Sequence, residues 1–292
     1  MPDTLRDLVA EELSLPVDAR VTAMSNAIAK GHGTASRAVL FYGSCLRQKQ
    51  LVGLMLDFYL IVSDYGEAYH KGWLATANRL IPPNVFYFEH GGLVAKYAVL
   101  SEADFERECG PDARNTSIIA RFAQPSRLVW NAGKPARERV IDAVSRCAPT
   151  LLGRARPLAA SGASVGDLWK RAFQLTFAAE LRAERRDRSA SIVDAEPQRY
   201  RRFGTVALAG LPTDSVNGAV RWWRRMQRKG KLLSVLRLAK ASATFAGGAD
   251  YIAWKINRHA GTKIELKPWQ RRHPLLAGIT LLPRLLKSGA IR

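Results

Sequence analysis

The chain has 292 residues, 47% of them apolar, and a formal net charge of +20. That composition excludes a disordered chain and leaves room for one large core or two modest ones. Three widely spaced cysteines, Cys45, Cys109 and Cys147, form no CxxC pair, which argues against a zinc site and for reduced thiols in the cytoplasm.

Met1 to Leu15 is acidic and lacks a basic stretch followed by an apolar run, so neither a secretory signal nor an Arg-rich transit peptide is expected there. Residues 3–30 are predicted helical, with Leu5, Leu8, Val9 and Leu13 in helical period. Gly31 and Gly33 break the pattern. A strand over 38–42 ends at Gly43-Ser44, and a short polar helix follows over 45–52. The next strand, 54–62, is almost continuously apolar, as a central strand covered on both faces should be, and Asp57 alone interrupts it with a charge. A helix over 66–79 closes at Pro82-Pro83. Strands over 85–88 and 94–100 are joined by a hairpin at His90-Gly91-Gly92. Ser101-Glu102-Ala103-Asp104 has a helix-capping pattern. Helices are predicted over 134–149 and 164–188. The longest apolar stretches fall far short of the ~20 residues a spanning helix needs, so no membrane crossing is expected.

Charge divides the chain. From Arg199 to Arg292 there are 20 Lys/Arg against 3 acids, whereas residues 1–198 carry a net charge of only +3. A near-neutral body with a strongly basic tail predicts an anionic surface as partner, a membrane or a nucleic acid. In the tail, Arg221-Trp222-Trp223-Arg224-Arg225-Met226 sets two indoles among cations, and Trp222, Met226, Leu233 and Leu236 recur on one helical face. Aromatics flanked by Lys/Arg favour anionic headgroups, so Trp222, Trp223, Arg224 and Arg225 are candidate membrane contacts. Leu275 to Leu286 is a second apolar patch. Packing of the tryptophans on the body is one alternative and single-stranded nucleic acid another. Nucleic acid is the less favoured partner.

The chemistry concentrates between Val39 and Val62. A Gly-Ser pair alone is an ordinary turn signal. A carboxylate inside an apolar strand says more, because burying it unpaired is costly and it needs a partner or a metal. Gly43-Ser44 ends one strand, and Asp57 lies 13 residues after Ser44 in the next, a spacing that lets the two strands lie side by side. Strand, Gly-Ser turn, short helix and carboxylate-bearing strand resemble the polymerase-beta-like nucleotidyltransferases. That superfamily usually places a second carboxylate two residues after the first. Here that position is Tyr59, with Asp64 and Glu89 as the acids that could complete a metal site.

The resemblance narrows on Phe41-Tyr42-Gly43-Ser44, Met55-Leu56-Asp57-Phe58 and Ile61-Val62-Ser63-Asp64, which look like the mitochondrial-type phosphatidate cytidylyltransferases, a family with bacterial members. Asn84-Val85-Phe86-Tyr87-Phe88 is similar to that family's tyrosine-rich strand, and Lys96-Tyr97 to its Lys-Tyr-Gly strand with Ala98 in place of Gly. Arg121 with Gln124-Pro125, and Glu180-Leu181-Arg182, extend the likeness over about residues 38–190. Cys45 and Glu89-His90 depart from it. The fold this implies is α+β: a polymerase-beta-like nucleotidyltransferase domain over 1–130, a mixed sheet with helices. A helical domain over 131–198, with a winged-helix-like form as one option, and a basic amphipathic region over 199–292 complete the expectation. The implied reaction joins CTP and phosphatidate to give CDP-diacylglycerol and diphosphate, with Mg²⁺ as cofactor. The implied roles are triphosphate binding by Gly43, Ser44 and Arg47, metal binding by Asp57 and Asp64, and charge neutralisation by Lys96 and Arg121. The implied location is the cytoplasmic face of the cell membrane, as a peripheral protein. A nucleotidyltransferase acting on RNA or a small acceptor, and a non-catalytic basic adaptor, are the competing readings.

Overall fold

The computed structural model describes residues 4–48, 51, 53–179, 188–244 and 267–268. Two helices open the chain, α1 (Leu5–Leu13) and α2 (Ala19–Gly31). The single helix expected over 3–30 is divided around Pro16, and each half has its own N-cap. Thr4 forms a capping box with Asp7, and Asp18 accepts from the Arg20 amide.

A five-stranded sheet follows in the order β3-β4-β2-β1-β5. Its strands are β1 (Ser36–Tyr42), β2 (Met55–Val62), β3 (Asn84–His90), β4 (Leu93–Ser101) and β5 (Ser126–Asn131). β2 and β4 run parallel, and the other neighbours are antiparallel. Between β1 and β2 lies α3 (Ser44–Gln48); between β2 and β3 lie α4 (Tyr65–Ala68) and α5 (Gly72–Leu80). The β3–β4 hairpin turns on Gly91 and Gly92, both in the left-handed region at φ +57° and +73°, as a tight two-residue turn requires. Ser101 caps α6 (Glu102–Glu108) by accepting from the Asp104 amide. Then come α7 (Ser117–Phe122), α8 (Lys134–Ser145), α9 (Cys147–Ala155), α10 (Val165–Phe177), α11 (Arg188–Ala195), α12 (Pro197–Leu208) and the long α13 (Val216–Thr244).

Strand alternation loads the two sheet faces separately. Val39, Phe41, Phe58, Leu60 and Val99 face α2, around Met24 and Ile28. Leu40, Tyr59, Ile61, Ala98 and Leu100 face the other way, into one continuous core. That core takes in Leu8 of α1, Val140 of α8, Leu151 of α9, Trp169 and Phe173 of α10, Tyr200 of α12 and Trp223 of α13. The chain thus crosses the boundary expected near Trp130 with no break in its core. Each large apolar side chain buried here stabilises the fold by about 1.5–3 kcal/mol. Buried Glu108 is partnered: it accepts from the amides of Arg114 and Asn115 at 3.1 and 3.3 Å, pinning the loop before α7. Arg199 of α12 bonds Glu12 of α1 at 2.5 and 2.8 Å.

The basic helix departs from expectation. Trp223 is 2% exposed and donates from Nε1 to the Arg154 carbonyl at 2.8 Å. Trp222 is half-buried edge-on against it, under the Arg154 guanidinium. Met226 is also 2% exposed. The indole and methionine face expected to meet lipid is therefore turned to the protein, and the Arg154 carbonyl of α9 accepts the Trp223 indole N–H. Arg224 and Arg225 stay exposed. The patch at Leu275 to Leu286 and the segment Glu180-Leu181-Arg182 lie outside the described residues. Among the described residues, no helix is long and apolar enough to cross a membrane.

Candidate active site

One row of side chains runs across all five strands. Tyr87 of β3 is opposite Lys96 of β4, Lys96 is opposite Asp57 of β2, Asp57 is opposite Tyr42 of β1, and Tyr42 is opposite Ser126 of β5. Directly paired residues share a face, so the row presents its polar groups together. It lies where β1 ends and β2 and β4 begin, on the face that carries Tyr59 and Ile61 deeper in.

Asp57 is the centre of the row. Lys96 Nζ approaches its Oδ1 at 3.0 Å, with the lysine side chain 26% and the aspartate 18% exposed. The pair is thus half-enclosed but reachable from solvent. Gly43 explains how the carboxylate fits. Its φ is +96°, and a Cβ added there would meet Asp57 Oδ2 at 2.8 Å. Only glycine permits this backbone turn against this carboxylate. Ser44 begins α3 immediately after, and Cys45 donates from Sγ to the Met55 carbonyl at 3.4 Å, tying that helix to the start of β2. Burial raises the Cys45 thiol above its ordinary pKa, with the Asp57 charge adding to the shift. Burial likewise pushes the Tyr42 phenol well up, and Asp57 again adds to it. Both groups are neutral donors at physiological pH.

Arg121 arrives from α7. Its Nη1 donates to the Ser117 carbonyl at 3.0 Å, and its side chain reaches the Tyr42 phenol. The structure therefore gathers Gly43, Ser44, Asp57, Lys96 and Arg121. Arg47 has its backbone in α3, and its side chain lies outside the described residues.

Asp64 is not part of this group. It caps α4 through the Gly66 amide at 2.6 Å and pairs with Arg79 at 3.0 Å. It stands seven residues beyond Asp57, about 23 Å along the strand direction at ~3.3 Å per residue. The two carboxylates cannot share an ion, and the expectation for Asp64 is corrected: continuous β2 pairing from Met55 to Val62 separates them. Glu89 shares the sheet face but sits two strands over and two positions along, about 12 Å away by strand spacing. It accepts a hydrogen bond from Tyr87.

Among the described residues no cluster of three or more His, Cys, Asp or Glu side chains could hold a metal ion. Mg²⁺ is commonly bound by one or two carboxylates with phosphates and waters completing its shell. The donor set at Asp57 fits an ion that arrives on a polyphosphate, not a cage built by protein alone.

Sequence reasoning missed Tyr42 and Ser126. Ser126 Oγ is buried and has no hydrogen-bond partner among the described residues. Tyr42 was legible in principle, since it directly precedes Gly43 and falls opposite Asp57 once the two strands pair. Ser126 was not, because nothing in a lone Ser after Pro125 says that β5 joins β1.

A scan against protein-family models and a search of curated proteins found no match to this chain. The chemistry has to be argued from the row itself.

Proposed function

We propose that this protein is a nucleotidyltransferase whose site is the mouth around Asp57, and that it acts as a phosphatidate cytidylyltransferase at the cytoplasmic face of a membrane. What supports the reading is the Asp57 carboxylate seated against Gly43, with Lys96 and Arg121 beside it. One anionic ligand for a metal, two cations and a left-handed glycine at a strand end are the groups a triphosphate needs.

In this reading Gly43 and Ser44 hold the triphosphate of CTP. A phosphate oxygen of phosphatidate attacks the α-phosphorus, a new P–O bond forms, and the bond to the bridging oxygen breaks, so that diphosphate leaves with the electron pair. The nucleophile is already ionised at neutral pH, and no general base is required. Lys96 and Arg121 offset the charge that accumulates on the leaving phosphates, and the neutral Tyr42 and Cys45 keep further negative charge out of the mouth. Mg²⁺ bound with the nucleotide would supply charge neutralisation and orientation at Asp57. Catalysis is then positioning and electrostatics.

The test incubates the full chain with phosphatidate, Mg²⁺ and each nucleoside triphosphate in turn. A cytidine-linked lipid, lost in Asp57→Asn, is the expected product. Nucleotide transfer to RNA or to a small acceptor, with none to lipid, would move the protein to another branch of the same chemistry. No transfer with any triphosphate would leave a non-catalytic basic protein.

A further inference from the structure

The outer side of α13 and the exposed side of α5 are not used by the catalytic reading. α13 carries eight Lys/Arg and no acid. Its roll about its own axis is set by the contacts beneath it. Trp223 and Met226 are buried, and Gly230 lies so close to the C-terminal end of α10 that a Cβ would fall 2.1 Å from the Ala179 carbonyl oxygen. Further on, Arg237 donates to the Pro82 carbonyl at 2.7 Å and to Ser117 Oγ at 3.1 Å. Lys240 donates to the carbonyls of Ile81 and Pro83, the latter at 2.8 Å.

With that side held down, the other side must face outward. Arg221, Arg224, Arg225 and Arg228 do so along the first turns. Leu232 and Leu236, one turn apart, follow at 62% and 37% exposed. The loop gripped by Arg237 and Lys240 directly follows Leu80, the last residue of α5, which is 73% exposed. Trp73, seven residues earlier and so on the same side of that helix, is 53% exposed. Lys71 and Arg79 flank the pair, and Arg79 already holds Asp64. Single exposed leucines are ordinary on protein surfaces. Here four large exposed apolar side chains stand on two helices that the 81–83 loop ties together, set among cations.

We propose that this face docks on an anionic lipid bilayer, with Trp73, Leu80, Leu232 and Leu236 entering the headgroup region and the arginines on the lipid phosphates. A nucleic acid would engage the cations but leave the leucines wet, whereas a bilayer takes both. Arg224, Arg225 and Leu236 carry over from the sequence reading, but the indoles at 222 and 223 do not serve, and the lipid-facing indole is Trp73. The proposal extends the phosphatidate reading by naming the surface that meets the lipid, yet docking itself needs no nucleotide.

The experiment is co-sedimentation of the full chain, without nucleotide, with vesicles of phosphatidylcholine alone and of phosphatidylcholine mixed with phosphatidylglycerol. The wild type is expected to partition to the anionic vesicles only, less so at high salt. Leu232→Glu/Leu236→Glu and Trp73→Ala/Leu80→Glu should each lower partition about tenfold, while Leu15→Glu, exposed elsewhere, should not. Thermal melts of all variants separate lost docking from lost folding. A blue shift of tryptophan fluorescence on vesicle binding should largely vanish in Trp73→Phe, a change too mild to unfold a surface helix. Equal binding of both vesicle types, unchanged binding by the two double variants, or binding to an RNA homopolymer with none to vesicles would each overturn the proposal. A protein that docks but makes no nucleotide–lipid product keeps this inference and removes the cytidylyltransferase reading; product from detergent-dispersed phosphatidate without vesicle binding does the reverse.

Discussion

β2 and α13 both mix apolar residues with charge, and the fold treats them in opposite ways. In β2 the single charge, Asp57, is turned to a half-open mouth and given a cation, Lys96, while the aromatic Tyr59 beside it goes into the core. In the first half of α13 the aromatics go inward and the arginines outward, with Trp223 bonded to the Arg154 carbonyl of α9 and Arg224 and Arg225 in solvent. A lone carboxylate in an apolar strand survives because its end of the sheet is wet and a neighbouring strand supplies the countercharge. A tryptophan among arginines is no lipid anchor when the body presents a carbonyl to its indole N–H. The type of residue names the interaction it can make, and its neighbours across the fold decide which one it does make.

Substitutions at these positions test the contrast between β2 and α13. Trp223→Ala should be the most damaging change, because it removes a core side chain and its hydrogen bond. A loss of about 3–5 kcal/mol in denaturant unfolding is expected, against a smaller loss for the half-buried Trp222→Ala. Equal, negligible effects for both would return the tryptophans to the surface. Asp57→Asn should leave the melting temperature nearly unchanged and reduce nucleotide transfer by about 10²–10³-fold. Gly43→Ala comes next. The added methyl lies in the left-handed region and against the carboxylate, so about 1–3 kcal/mol of stability should be lost, together with about tenfold in turnover through displacement of Asp57. Asp64→Ala should cost only about 0.5–1 kcal/mol, as a lost cap and an exposed ion pair, and should leave turnover untouched. A large fall in turnover there would reinstate Asp64 as a metal ligand.

A separate expected effect is pH-dependent and concerns the far end of α13. Burial, reinforced by Arg237, lowers the Lys240 pKa from 10.5 to about 7. The folded state therefore holds fewer protons than the unfolded one between those values. The destabilisation is fully present below about pH 7 and is relieved as pH rises toward 10.5. Unfolding followed across that window should show stability rising with pH, with a shallower slope in Lys240→Met.

Much of the fold could be read directly. β2 and the hairpin at Gly91-Gly92 are local patterns: an uninterrupted apolar run and two glycines where φ must be positive. Gly43 and Asp57 stand out in the sequence because a glycine or a charge breaks a strand pattern, whereas Lys96 and Arg121 are singled out only by the family resemblance. Ser126 carries no such signal, and nothing local marks Asp64 as a helix cap. Ser126 reaches the row only through the β1–β5 pairing, and an acid that caps a helix has the same composition as one that binds a metal.

Local periodicity and charge counting give the strand that bears the carboxylate and the basic character of the C-terminal third, whereas the α+β class rests on the family resemblance. Only the tertiary structure decided which charges meet. Lys96 lies 39 residues from Asp57 in the chain and 3.0 Å from it in space, because β2 and β4 pair in parallel with those two residues in register. The same holds for the roll of α13: its sequence offers an aromatic side and a cationic side, and the close approach at Gly230, the Arg154 carbonyl and the carbonyls of residues 81–83 select which one is buried.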